Sequence, residues 1–531
     1  MEKAKKRGSR FQRALGVVER VGNRLPHPIT LFALLTLLLM LLSALCAALG
    51  VSATGEWINP ETLALEEHTV TAVSLLSREG AVYMLTHLVS NFTGFAPLGV
   101  VLVVMLGVGC AEGSGYLAAL LKKLVRVTPR RLVTPALVFL GVMSNIATDI
   151  GYVVLIPVGA LVFLAYGRHP LAGLAATFAG VSGGFSANLL IGALDPLLAG
   201  ISTEAAQMVD AGYVVQPTSN WYFMIASTVV IVAIGTWVTD KIVEPRLGTF
   251  SAGASGQTDP KAAEQPAAQE ERLSALSPRE SKALKAATGV LLLLLLLLVA
   301  AALPRGSWLR NPDTGSLTDG APLMEGLVVL LALVFFLPSV VYGRMAGQYR
   351  GEKDVARQLE TNMSTMGSYI ALIFVAAQFV SFFQYSQLGT ILAINGSRLL
   401  RSSGISGPLL MVLFVLFTAL LNLLMGSATA KWTILAPIFI PMFMMLGYSP
   451  ELTQVAYRIG DSCTNLITPL MSYFAMVVVF ARRYDRQAGI GTLLSTMLPY
   501  SLCFLAGWTI LLVLWMWIGL PLGPGAFALL P

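Results

Sequence analysis

Long apolar runs alternate with short polar breaks along almost the whole chain, a pattern that predicts membrane-crossing helices. Leu31–Leu49, Trp221–Val238, Ala287–Leu303, Leu327–Val341 with its flanks, and Leu494–Leu520 approach the roughly 20 apolar residues that span a hydrocarbon core. Phe95–Leu121 reads as a further helix, and Met366–Arg401 as a long crossing entered through an amphipathic connector. The eight leucines Leu291–Leu298 suit a lipid-facing helix with no site of its own.

Two regions are apolar but interrupted. Leu132–Met143 is too short to cross; it breaks at Ser144-Asn145-Ile146-Ala147-Thr148-Asp149 and resumes as Ile150–Tyr166. Leu409–Met425 and Thr433–Leu446 flank Gly426-Ser427-Ala428-Thr429-Ala430-Lys431-Trp432 in the same way. These predict two re-entrant hairpins, residues 132–166 and 407–447, with polar tips deep in the membrane. Polar backbone is tolerated at that depth only where it lines a protein-enclosed cavity. Each hairpin precedes a crossing with its own polar break: Leu171–Ile201 contains Ser182–Asn188, and Leu452–Ala481 contains Gly460–Asn465.

Charge in the loops orients these elements. Residues 1–24 hold eight Lys/Arg against two Glu, which places that end in the cytoplasm by the positive-inside rule. The acidic stretch Val51–Ser90 then lies outside, and the basic loop with Lys122, Lys123, Arg126, Arg130 and Arg131 inside. The loop carrying Glu204 and Asp210 is external, whereas Arg344, Arg350, Lys353 and Arg357, and later Arg482, Arg483 and Arg486, are internal. The resulting expectation is an all-α polytopic membrane protein of nine transmembrane helices plus two re-entrant hairpins, with its C-terminus outside. Residues 1–28 form a cytoplasmic segment and 29–243 a first half with helices one to four and one hairpin. Residues 244–285, rich in Ala, Gly, Ser, Gln and charge, form a flexible cytoplasmic linker, and 286–531 a second half with helices five to nine.

The halves repeat. Pro157 and Pro437 are 437 − 157 = 280 residues apart, as are Pro170 and Pro450, and Asn188 and Asn465 are 465 − 188 = 277 apart. One hairpin enters from inside and the other from outside, so the repeats are inverted. Alternating-access carriers are built from inverted repeats with discontinuous helices, with the site at the repeat interface near the midplane.

Composition narrows the class. The 531 residues are 56% hydrophobic and 12% charged, against roughly 25% charged in soluble domains. The net charge of +7 sits in loops and forms no basic face, so no nucleic-acid partner is expected. Cys46, Cys110, Cys463 and Cys503 are scattered, which suggests neither a disulfide framework nor a zinc site. Leu31–Leu49 is longer than a signal peptide's apolar core, so it is expected as a retained helix.

A sodium ion at mid-membrane needs hard oxygen ligands from broken helices and from Ser, Thr or Asn side chains. The candidates are Ser144, Asn145, Thr148, Ser186 and Asn188 in the first half, and Ser427, Thr429, Thr464 and Asn465 in the second. The same side chains also serve as helix caps, so both uses stay open for them. Charges inside apolar segments are functional candidates because burying them is costly. Here they are Asp195, Lys431, Arg458 and Asp461, with Glu112 nearer the cytoplasm and Asp149 suited to a helix cap. Asp461 adjoins the second break and Asp195 follows the first by seven residues; both suit proton coupling. Lys431-Trp432 offers a cation and an aromatic platform to a small anionic aromatic substrate; its alternative is Lys431 paired with a carboxylate and Trp432 in packing.

The tip Gly426–Trp432 with Ala436-Pro437, and the run Gly460-Asp461-Ser462-Cys463-Thr464-Asn465-Leu466-Ile467-Thr468-Pro469-Leu470, resemble the p-aminobenzoyl-glutamate transporter (AbgT) family. Gly107–Gly115 and Leu194-Asp195-Pro196 are similar to first-half segments of that family. The resemblance implies a bacterial inner-membrane homodimer that imports p-aminobenzoyl-glutamate or exports sulfonamide antimetabolites, coupled to sodium or protons and without another cofactor. It also implies functional roles for Asp195, Thr429 (often Ser in the family), Trp432, Pro450, Arg458, Asp461 and Pro469. A sodium-coupled dicarboxylate carrier of the same architecture is the alternative. An intramembrane aspartyl protease is remote, because Tyr484-Asp485 lies in a basic loop and Arg458 replaces the glycine expected two positions before Gly460.

Overall fold

The computed structural model describes residues 28–58, 65–126, 129–146, 151–248, 250, 276–317, 321–468, 471, 473–485 and 487–530. The candidates Thr148, Asp149 and Pro469 fall outside them, as do residues 251–275 of the expected linker.

The chain opens with α1 (Pro28–Ala48), then a two-stranded antiparallel hairpin, β1 (Ser52–Ile58) and β2 (Leu65–Thr71), paired from Ser52 with Thr71 to Ile58 with Leu65. This hairpin is the one sheet among the described residues, two isolated β-bridges (Tyr448 with Leu529, Gly523 with Ala526) aside, and it lies in the stretch expected as an external loop. The stretch expected as an external loop also holds most of a helix, α2 (Arg78–Thr93), and where one helix was expected over 95–121, two follow: α3 (Ala96–Gly113) and α4 (Tyr116–Arg126). Gly115, at φ +79°, takes the left-handed conformation that separates α3 from α4.

Next come α5 (Val133–Met143) and α6 (Ile156–Ala165), joined through a 3₁₀ turn at Ser144–Ile146 and a π turn at Gly151–Leu155. Then α7 (Pro170–Phe178) runs into a π turn at Ala179–Gly183, unwinds, and resumes as α8 (Leu194–Ala206). After α9 (Trp221–Val238), α10 (Pro278–Ala302) begins inside the range expected for the linker, because Ser277 and Glu280 form a capping box. The helices α11 (Leu327–Ala346) and α12 (Glu352–Thr365, the connector) precede α13 (Gly367–Tyr385) and α14 (Leu388–Ser402). Gln387, at φ +59°, is the non-glycine left-handed residue that breaks the expected long crossing between them. The chain closes with α15 (Gly407–Asn422), α16 (Ala428–Met444), α17 (Pro450–Thr464), α18 (Phe474–Arg482) and α19 (Ile490–Ile518).

Among the described residues, seven helical stretches are long and apolar enough to cross a membrane, and five apolar helices are shorter. The short ones are the arms of both hairpins and the first half of the first broken helix: Val133–Ile146, Gly151–Ala165, Pro170–Gly183, Gly407–Asn422 and Ala428–Met444. Many leucines of α1 and α10 face outward, Leu41 and Leu296 being more than 60% exposed. A helix immersed in lipid has no reason to turn such side chains inward. The largest buried cluster instead gathers around the short and broken helices and includes Phe178, Trp432, Tyr457, Phe474 and Tyr500.

Backbone approach explains why glycine stands where hairpins meet broken helices. A Cβ on Gly180 would lie 2.3 Å from the Val138 carbonyl oxygen, and one on Gly460 2.5 Å from that of Val415. These pairs are related by offsets of 460 − 180 = 280 and 415 − 138 = 277, the two spacings that relate the halves in sequence.

Candidate functional site

The charges expected to be costly inside the membrane are assembled in pairs. Lys431, in the first turns of α16, contacts Asp461 of α17 with Nζ to Oδ1 at 2.5 Å, both side chains 2% exposed. Arg458, one turn earlier on α17, reaches Asp195 of α8 with Nη1 to Oδ1 at 2.7 Å, both nearly buried. The first pair closes the second hairpin onto its broken helix, and the second joins the two halves of the chain. In both, burial is compensated by an opposite charge, the condition under which ionised groups persist in a low-dielectric interior.

The Arg458–Asp195 contact is a charge contact without an aligned hydrogen bond. Asp195 Oδ1 accepts no well-directed N–H and Arg458 Nε donates to none, although Asp195 Oδ2 accepts the Gly192 N–H at 2.7 Å. Lys431 takes the carboxylate partner that was its alternative use.

Trp432 is fully buried and stacks on Tyr457, ring centres 4.5 Å apart and planes 25° from parallel. Its indole N–H donates to Ser202 Oγ at 3.0 Å, which donates to Gln454 Oε1 at 2.6 Å. Gln454 Nε2 donates to Asn220 Oδ1 at 2.8 Å, and Asn220 Nδ2 to the Glu451 carbonyl at 3.0 Å. Trp432, which the structure places in packing against Tyr457, is thus fixed by an amide and hydroxyl chain from both halves. Tyr457 donates its hydroxyl proton to the Ala428 carbonyl at 2.5 Å, pinning the hairpin tip to α17.

Asn422, at the end of α15, was not singled out from sequence. Its Nδ2 lies 2.5 Å from the Asp461 carbonyl oxygen and 2.9 Å from both Thr464 Oγ1 and Asn465 Oδ1; its Oδ1 accepts from Lys431 Nζ. Thr464 and Asn465 therefore meet beside the ion pair, around one amide. A signal for Asn422 was present: it stands at 145 + 277, and Asn145 had been named. Asn145 Nδ2 donates to the Gly184 carbonyl at 3.3 Å, and Asp461 is 184 + 277, so the same tip-to-break hydrogen bond occurs in each half.

The other candidates have local roles. Ser427 is the N-cap of α16, accepting from Ala430 N–H at 3.3 Å. Ser144 donates to the Gly141 carbonyl at 2.7 Å, and Asn188 accepts from Leu190 N–H at 3.2 Å. Ser186 is buried at the first break, Thr429 is half-buried in the first turn of α16, and Pro450 occupies the first turn of α17 behind its cap Ser449. Glu112 lies in the last turn of α3, away from these groups in the sequence of elements. Among the described residues the first-half and second-half candidates do not merge into one cage; Asp195–Arg458 and the Trp432–Ser202–Gln454–Asn220 chain are among the contacts that join the halves.

At the base of the first hairpin, Arg168 donates to Thr134 at 2.7 Å and to Asp240 at 2.6 Å, and also pairs with Glu244. Next to it, burial lowers the His169 imidazole from its ordinary value against the opposing pull of Glu244 and Asp485. Its Nδ1 accepts the Leu171 N–H at 3.3 Å, capping α7.

A family model described as the AbgT putative transporter family matches residues 13–530. The p-aminobenzoyl-glutamate transport protein of Escherichia coli (strain K12) is 38% identical over 512 residues, 96% of each chain. The crystal structure of the YdaH transporter of Alcanivorax borkumensis superposes with a TM-score of 0.85 at 48% identity, covering 94% of this chain and all of that one. The structure of Neisseria gonorrhoeae MtrF, described with a class of antimetabolite efflux pumps, gives a TM-score of 0.90 at 47% identity, over 97% of this chain and all of that one.

Proposed function

The chain belongs to the AbgT putative transporter family, a multi-pass membrane transporter and not an enzyme, and from that premise we propose that it carries p-aminobenzoyl-glutamate or sulfonamide-type antimetabolites by ion-coupled alternating access. The observation that carries this reading is the buried cluster in which the stacked Trp432–Tyr457 pair lies on the same two helices as Lys431–Asp461, with Arg458 of α17 reaching Asp195 of α8 beside them. An aryl ring suits the aromatic pair, and carboxylates suit the cations. The names of two relatives, a p-aminobenzoyl-glutamate transport protein and an antimetabolite efflux pump, point the same way.

The charge balance supports ion coupling. Two cations and two anions sum to zero, so a substrate dianion brings two uncompensated charges into a poorly solvated site. Sodium ions or protons moving with it offset that cost. Thr464, Asn465 and the Asp461 carbonyl converging on Asn422 support a sodium locus in the second half, and Asp461 and Asp195 support protons. The recurrent tip-to-break hydrogen bond supports nine membrane helices and two hairpins in inverted repeats. In our reading the N-terminus is cytoplasmic, the C-terminus periplasmic, the host membrane the bacterial inner membrane and the working unit a homodimer.

The test is flux of labelled p-aminobenzoyl-glutamate into proteoliposomes under separately imposed sodium and proton gradients, with unlabelled succinate as competitor. Uptake driven by one gradient and insensitive to succinate is the expected result. Succinate transport without p-aminobenzoyl-glutamate transport would replace this reading with a dicarboxylate carrier.

A further inference from the structure

Three of the seven buried side-chain atoms left without a hydrogen-bond partner among the described residues belong to one place: Asp195 Oδ1, Arg458 Nε and Ser462 Oγ. Asp195 is 3%, Arg458 4% and Ser462 0% exposed, so solvent does not satisfy them. Buried polar atoms are almost always partnered, and an exception calls for a physical reason. Here the exceptions converge. Arg458 and Ser462 stand four residues apart on α17, one turn along one face. Asp195 of α8 lies against the same guanidinium. The remaining groups around it are committed: Asp195 Oδ2 to Gly192 N–H, Lys431 to Asp461, and Gln454 and Ser202 to the Trp432 chain.

The chemistry of the three atoms is specific. Arg458 Nε–H is a donor, the Ser462 hydroxyl can donate alongside it, and Asp195 Oδ1 accepts. Two donors on one helix face match the two oxygens of a carboxylate, and a neighbouring acceptor matches an N–H. A carboxylate adjacent to an N–H is the defining unit of an N-acyl α-amino acid.

We infer that Ser462, with the Nε edge of Arg458 and Oδ1 of Asp195, forms a subsite for the α-carboxylate and adjacent amide N–H of an N-acyl amino acid. The inference rests on the proposed substrate class and sharpens it: the α-carboxylate end is gripped at α17, which leaves the aryl end for Trp432 and Tyr457. Ligand entry requires α8 and α17 to part at this point. The poorly aligned Arg458–Asp195 contact is suited to that, because a ligand carboxylate gives Arg458 Nε–H an acceptor and the ligand N–H gives Asp195 Oδ1 a donor.

Binding of benzoylglycine and of benzoylglycinamide to the full-length detergent-solubilised protein, read by thermal shift, tests the subsite without transport. Transport of p-aminobenzoyl-glutamate and of its α-carboxamide tests it in proteoliposomes. Ser462→Ala should weaken the acid ligand about ten-fold or more, the scale of a lost hydrogen bond to a charged group, and leave the amide ligand nearly unmoved. Arg458→Lys, which keeps the charge and loses the fork, should do the same. A merely structural role for Ser462 would move acid and amide in parallel, and that result, or an unchanged acid affinity, would overturn the inference. The two levels separate cleanly. Selective loss of benzoylglycine binding without p-aminobenzoyl-glutamate flux in the wild type sinks the proposed function and keeps the subsite. Wild-type flux with a silent Ser462→Ala does the reverse.

Discussion

Removing one member of the Lys431–Asp461 pair should cost more stability than removing both. With the charged atoms 2.5 Å apart, the attraction at an effective dielectric of about 20 is about 7 kcal/mol. Desolvating two side chains that are each 2% exposed cancels several kcal/mol per ion, so the pair as a whole is near break-even. Asp461→Ala removes only the attraction. It strands the Lys431 ammonium in the interior with the Asn422 carbonyl as its remaining polar contact among the described residues, at an expected loss of about 3–5 kcal/mol. The double variant Lys431→Met/Asp461→Leu keeps the volume and removes both penalties, so it should recover most of that loss. Urea midpoints in detergent for wild type, Lys431→Met, Asp461→Leu and the double variant give the coupling energy directly. Flux in proteoliposomes should be abolished in all three variants, because stability can be restored without the charges whereas a charge-dependent transport step cannot. Equal stability of Asp461→Ala and wild type would mean that the pair does not hold the tip. Robust flux in the double variant would mean that the charges are no part of transport.

Three further outcomes follow from other parts of the fold. Gly460→Ala places a methyl 2.5 Å from the Val415 carbonyl and should lose about 1–3 kcal/mol together with most flux, whereas Gly289→Ala, with open space around it, should be silent; similar behaviour of the two in a thermal-melt comparison would contradict the close approach. At the base of the first hairpin, a double-mutant cycle of Arg168→Met and Glu244→Gln should give a coupling of about 1 kcal/mol or less, since both side chains are 22% exposed and screened, and added salt should shrink it. Because His169 is depressed in the folded state and caps α7 as the neutral base, its contribution is present above the unfolded value near pH 6.5 and lost as pH falls through the lower folded value. Thermal midpoints from pH 7.5 to 5 should therefore fall less in His169→Asn, which caps without titrating, and parallel curves would remove His169 from the account.

Much of this protein is legible along the chain because membrane burial imposes a local code. A span must be apolar over about 20 residues, so α1, α9, α10, α11 and α19 announce themselves, and the short arms around Ser144–Asp149 and Gly426–Trp432 announce that they are something else. Repetition is also a one-dimensional property: offsets of 277 and 280 are visible before any coordinates, and applied to Asn145 they would have yielded Asn422. The misreadings were at helix breaks set by single backbone conformations. Gly115 and Gln387 turn left-handed inside apolar runs that look continuous, and the β-hairpin between α1 and α2 has no apolar alternation strong enough to stand out from its acidic surroundings. What tertiary structure alone decided is partnership. Nothing in sequence says that Arg458 faces Asp195, 263 positions earlier by 458 − 195, while Lys431 takes Asp461. Nor does it say that Trp432 is held by a hydrogen-bond chain reaching into the first half, or that Ser462 is left with none. Composition fixes that charges must be compensated inside a membrane, but which charge compensates which depends on how helices from distant parts of the chain pack.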